Sequence, residues 1–117
     1  MKFLITGVSG FVGEELVYYL LQNPKYSILG IDKNKENISS KITFKQHDLV
    51  LRDKSELDKI FENYKPDIVV HLAAQSLVDE TLNKKKYYSN NEKATQYLLE
   101  IMKKNNLKKI IFSSTAA

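Results

Sequence analysis

The 117-residue sequence contains no cysteine, which excludes thiolate metal sites, redox CxxC chemistry and a cysteine nucleophile, and agrees with a reducing compartment. Arginine is almost absent too. Of the 18 basic residues only Arg52 is not lysine, although the net charge is +4. Guanine readout and bidentate phosphate clamps lean on arginine, so a dedicated nucleic-acid binder is disfavoured. The lysine groups at 84–86, 103–104 and 108–109 read as solvated surface. No apolar run approaches the roughly 20 residues that span a bilayer, and the run opening at Met1 stops at Thr6-Gly7, too short for a secretion signal. A cytoplasmic protein without membrane partners is expected. Internal repeats and low-complexity linkers are also lacking.

What is present is the composition of one globular domain, 43% hydrophobic and 27% charged, at a length that buries a core without metals or disulfides. Apolar runs at Lys2 to Thr6, Ser27 to Ile31, Ile42 to Gln46, Asp67 to His71 and Lys108 to Phe112 predict five strands. Helical spacing marks Phe11 to Gln22, Asp53 to Asn63 and Asp79 to Lys104, the last with a break expected near Lys84 to Lys86. Strands alternating with helices imply right-handed crossovers and an α/β, doubly wound parallel sheet of order 3-2-1-4-5. Such sheets bind ligands at the carboxyl ends of the strands, beside the switch point between the first and fourth.

Glycine is scarce, yet three of the four residues, Gly7, Gly10 and Gly13, lie in the connection from the first strand to the first helix. Glycine there permits a tight turn, close approach of backbone N–H groups to a pyrophosphate, and helix packing against the sheet. The helix amino terminus then faces the anion. The spacing is GxxGxxG, weak as a pattern alone and strengthened by its place between a buried strand and an amphipathic helix. Asp32, closing the second strand, is suited to the ribose hydroxyls of NAD and repels the 2′-phosphate of NADP. Lys33 and Lys35 temper that preference, and Lys33 and Asn34 are placed with Asp32 at the cofactor. Asp48 suits the adenine amino group with Leu49 against the ring, although a loop aspartate serving local N–H groups reads the same way. His71, ending a buried strand, is read as a structural hydrogen-bonding residue rather than a catalyst.

Taken together, Thr6-Gly7-Val8-Ser9-Gly10-Phe11-Val12-Gly13, His71-Leu72-Ala73-Ala74, Asn91-Glu92-Lys93-Ala94-Thr95 and Ser113-Ser114-Thr115-Ala116-Ala117 resemble the extended short-chain dehydrogenase/reductases. The resemblance is to their NAD-dependent nucleotide-sugar epimerase/dehydratase group, and it runs from residue 2 to residue 117. It implies that Phe11 and Val12 lie beside the pyrophosphate, Asp32 at the adenosine ribose, and Asp48 with Leu49 at adenine. Leu72, Ala73 and Ala74 would run toward the nicotinamide, Asn91 would brace the loop after the fourth strand, and Ser113 would touch the cofactor. Thr115 matches the catalytic Ser/Thr that hydrogen-bonds the sugar 4-oxygen. Ala94 replaces the glycine of the family's Asn-x-x-Gly-Thr. Ala116-Ala117 replace the Asp-Glu that dehydratases of this group carry after the Thr, which favours an epimerase-like or reductase-like parent over a 4,6-dehydratase.

The family's Tyr-x-x-x-Lys pair, which takes the proton from the C4 hydroxyl as hydride moves to NAD, is missing: none of the seven tyrosines has a lysine four positions on. The expectation is an amino-terminal NAD-binding portion, residues 1–117, of a nucleotide-sugar epimerase, without the substrate region and inactive alone. The alternatives are a dehydratase or reductase of the same family, or a non-catalytic NAD-responsive module. The resemblance further implies a homodimer through the helix around Tyr87 to Lys104, and a nucleotide sugar as partner of the whole enzyme.

Overall fold

The computed structural model describes residues 1–35, 38–49, 54–72 and 84–112, with the side chains of residue 54 and of residues 84–91 left aside. Strand β1 (Lys2–Thr6) has Phe3, Leu4, Ile5 and Thr6 all buried, so it can only be central. It pairs in parallel with β2 (Ser27–Asp32) on one side, Phe3 opposite Ile28 and Ile5 opposite Gly30. On the other side it pairs with β4 (Ile68–His71), Phe3 opposite Ile68 and Thr6 opposite His71. Strands β3 (Thr43–Gln46) and β5 (Ile110–Phe112) extend the sheet to the order β3-β2-β1-β4-β5. That is the order expected from the crossover rule.

Alternation along the strands splits the core into two faces. Phe3, Ile5, Ile28 and Val70 point to helix α1 (Phe11–Leu20), which buries Gly13, Val17 and Leu20 against them. Leu4, Leu29, Ile31 and Val69 point to the opposite face, beneath α2 (Lys54–Tyr64) and α3 (Lys84–Lys104). There Leu57, Ile60 and Phe61 of α2 meet Ala94, Tyr97, Leu98 and Ile101 of α3. Both helices end on a left-handed residue, Lys65 (φ 53°) before Pro66 and Asn106 (φ 57°). The N–H of Leu107 donates back to Met102 O at 2.9 Å, closing the last turn of α3.

The element ends differ from expectation in small ways with local causes. Helix α1 stops at Leu20, and its cap residue Leu21 still donates to Val17 O at 2.9 Å ahead of Asn23-Pro24. Ile42 stays outside β3 because its N–H is spent in a turn on Ser39 O, 3.4 Å away. Strand β5 starts two residues late, at Ile110, although Lys109 O already accepts from Val69 N–H at 3.1 Å. Helix α3 begins at Lys84 and is continuous through Lys86 to Lys104; residues 79–83, the helical stretch expected before it, lie outside the described residues. Among the described residues no helix is long and apolar enough to cross a membrane.

Candidate functional site

The chain leaves β1 through Gly7, whose φ of 71° is open to glycine and strained for other residues. Its N–H donates to Ile31 O at 2.8 Å, tying the bend to the end of β2. Gly10 follows as the helix cap, extended at φ −74° and ψ 171°, its own N–H donating to Gly7 O at 3.2 Å. Glu14 is the first residue whose N–H reaches back, to Gly10 O at 2.9 Å. Helical geometry therefore leaves the N–H groups of Phe11, Val12 and Gly13 without intrahelical acceptors, and no side chain of the cap residue takes them. Phe11 and Val12 are 81% and 55% exposed, flanking this positive helix end. A Cβ on Gly13 would lie 2.6 Å from Val8 O and 2.7 Å from Gly7 O, so glycine is what lets α1 start this close to the bend. Sequence reading passed over Gly30. A Cβ there would sit 2.6 Å from Val8 Cγ1, so a bare backbone in β2 seats the bend; a lone glycine inside an apolar strand was the available signal.

Asp32 ends β2 and turns its carboxylate toward the bend. Oδ2 accepts from Ser9 N–H at 3.1 Å and from Ser9 Oγ at 2.6 Å, and Oδ1 accepts from Asn34 N–H at 3.3 Å. Lys33 and Asn34 are exposed beside it, and Lys33 O accepts from Gln46 Nε2 at 2.9 Å. The backbone continues the ladder past β3, His47 N–H donating to Asp32 O at 2.9 Å. That brings Asp48, half-buried, to the same end of the sheet. Leu49 beyond it turns inward, 5% exposed in the cluster of Leu29, Ile31 and Leu57.

At the neighbouring strand end, Thr6 Oγ1 lies 2.7 Å from His71 Nδ1 and accepts from Leu72 N–H at 3.0 Å. His71 Nε2 lies 3.2 Å from Thr95 Oγ1, so one imidazole joins β1, β4 and α3. Burial lowers its pKa to about 4, which keeps the ring neutral near pH 7. His71 is thus a structural linker, and it fixes where Leu72 leaves the sheet. Gly7, Gly10, Phe11, Val12, Gly13, Asp32, Lys33, Asn34, Asp48 and Leu72 all gather at the carboxyl end of the sheet. Asn91 lies within α3. Ala73, Ala74, Ser113 and Thr115 lie outside the described residues.

Open helix-start N–H donors and a carboxylate one strand away match the two ends of an adenosine diphosphate group, so these residues fit a dinucleotide. Comparison with known proteins agrees. Residues 3–117 match the NAD dependent epimerase/dehydratase family. The UDP-glucose 4-epimerase of Halalkalibacterium halodurans is 39% identical over 120 residues, covering 100% of this chain and 35% of that protein. The dTDP-D-glucose 4,6-dehydratase of Dictyostelium discoideum is 40% identical over 124 residues, covering 97% of this chain and 29% of that protein. The chain thus spans about a third of the length of these curated relatives. Among solved structures, the UDP-glucose 4-epimerase of Bifidobacterium longum in complex with NAD+ and UDP superimposes with a TM-score of 0.85 at 32% identity, covering 99% of this chain and 37% of that one. The Thermus thermophilus UDP-glucose 4-epimerase in complex with NAD does so with a TM-score of 0.85 at 28% identity, covering 98% and 38%. NAD is the cofactor of the family, and with a match that leaves out only the first two residues, the chain belongs to the NAD dependent epimerase/dehydratase family.

Proposed function

We propose that residues 1–117 form the NAD-binding unit of a nucleotide-sugar 4-epimerase. The observation that carries this reading is the Asp32 carboxylate, held facing the glycine bend by Ser9. Phe11, Val12 and Gly13 offer N–H groups to the pyrophosphate, with Gly7 and Gly10 keeping side chains out of its way. Asp32, flanked by Lys33 and Asn34, takes the adenosine ribose, and its negative charge disfavours the additional phosphate of NADP. Asp48 accepts from the adenine amino group, and Leu49, whose side chain is buried, contributes main chain there. Leu72, Ala73, Ala74, Asn91 and Ser113 serve the nicotinamide half, and Thr115 holds the sugar 4-oxygen. Bound NAD supplies a hydride acceptor and donor for C4 of the sugar.

Epimerisation is preferred to dehydration because Ala116 and Ala117 offer neither acid nor base for eliminating water. The 117 residues by themselves bind without turnover, since no tyrosine is paired with a lysine four residues on and positioned acid–base help is worth about 10² to 10⁴-fold. In the whole enzyme, α3 supplies a homodimer interface. Calorimetric titration with NAD+ tests the site: weak binding is expected for the wild type and none for Asp32→Ala or Gly10→Val. Equal heats for all three would overturn the assignment.

A further inference from the structure

We propose that Ser9 is a positioning residue that sets the Asp32 carboxylate for the adenosine ribose and thereby sharpens the choice of NAD over NADP; this rests on the NAD-site reading above. Ser9 belongs to the bend after β1, and Asp32 to the end of β2. Both donors of Ser9, the N–H at 3.1 Å and the hydroxyl at 2.6 Å, converge on one oxygen, Oδ2. The hydroxyl bond has the length of a charge-assisted O–H···O⁻ contact, and it is half-buried, so water competes poorly for it.

A carboxylate has about four acceptor positions. Two donors on Oδ2 account for half of them and fix the side-chain torsions. Among the described residues Oδ1 keeps only the long contact from Asn34 N–H at 3.3 Å and stays available to a ribose hydroxyl. An aspartate held this way meets a diol without first losing rotamer freedom. It also cannot swing aside to admit a 2′-phosphate, so the same clip that favours NAD penalises NADP.

Titration of the 117-residue chain with NAD+ and with NADP+ by calorimetry separates this role from general support of the bend. Ser9→Ala removes the hydroxyl and keeps the N–H, so NAD+ affinity is expected to fall about tenfold. NADP+ affinity is expected to change by less than about twofold, so that the preference narrows. Ser9→Thr, which keeps the hydroxyl, restores the preference. Should Ser9→Ala unfold, Ser9→Cys, of similar size with a weak S–H donor, reads the same ratio. Equal weakening of both dinucleotides, or an unchanged ratio while Asp32→Ala still abolishes NAD+ binding, would overturn the role of Ser9 and leave the NAD site standing. NAD+ binding that is indifferent to Asp32→Ala would remove the site reading and this inference with it.

Discussion

Single atoms decide the behaviour of the glycine bend. At Gly13 an added Cβ would press on two backbone carbonyl oxygens at 2.6 and 2.7 Å, and neither can move without displacing the bend. Gly13→Ala should therefore lower stability by about 1–3 kcal/mol, as overpacking does. At Gly10 the nearest atom, Gly7 O, is 3.4 Å from the added Cβ and the backbone is already extended, so Gly10→Ala should stay within about 0.5 kcal/mol. Urea unfolding of the two variants checks the contrast; a Gly13→Ala protein as stable as wild type would contradict the packing described. His71 predicts a pH dependence. Its folded pKa, near 4, lies below the value of 6.5 for free imidazole, so between the two the unfolded chain binds more protons and stability rises with pH. Acidification across that window should remove up to about 3 kcal/mol, levelling off below it. The loss should be smaller in His71→Gln when unfolding midpoints are compared from about pH 7 to about pH 4. An identical pH profile for the two proteins would mean that His71 titrates normally.

At the scale of elements, α3 stakes its orientation on neighbouring leucines. Leu98 is fully buried beneath the sheet, whereas Leu99 is 41% exposed. Leu98→Ala should cost about 2–5 kcal/mol and Leu99→Ala under about 1 kcal/mol, read from thermal unfolding. Comparable losses would place the helix in another rotation. This stripe was legible in the sequence, because Ala94, Leu98 and Ile101 recur at helical spacing and nothing local competes with them. The strand order was legible as well, since right-handed crossovers leave few alternatives. Ends were less so. The N–H of Ile42 prefers a turn on Ser39 to the sheet, and no propensity for isoleucine encodes that choice. The Ser9–Asp32 contact escaped for a different reason: 23 residues separate the partners, and only the pairing of β1 with β2 brings them together. The glycines and Asp32 could be named from the sequence because their types are unusual at those places. The serine that holds Asp32 could not, because serine in a bend is ordinary.

Across the whole molecule, the two outer strands differ in chemistry. Strand β3 exposes Thr43, Lys45 and Gln46, a polar edge that resists pairing with another copy. Strand β5 leaves Ile111 and Phe112 52% and 49% exposed, and such an edge favours self-association as concentration rises. Any test of cofactor binding through global stability must separate these effects. Ligand linkage does so, because its stabilisation depends on free NAD+ relative to its dissociation constant and not on protein concentration. The proposed site joins residues from β1, β2 and α1, so NAD+ contacts are lost when the sheet unfolds, and the full binding free energy should appear as stability. At about 100 times the dissociation constant, NAD+ should add about 2.7 kcal/mol, a rise of about 10 °C or more in Tm for a chain of this length. The rise should be equal at low and high protein concentration. It should vanish in Gly10→Val, whose added side chain would obstruct the uncapped start of α1 while the rest of the sheet stays intact. Thermal scans of both proteins with and without NAD+ measure it, and a rise of equal size in Gly10→Val would place the dinucleotide somewhere other than this bend.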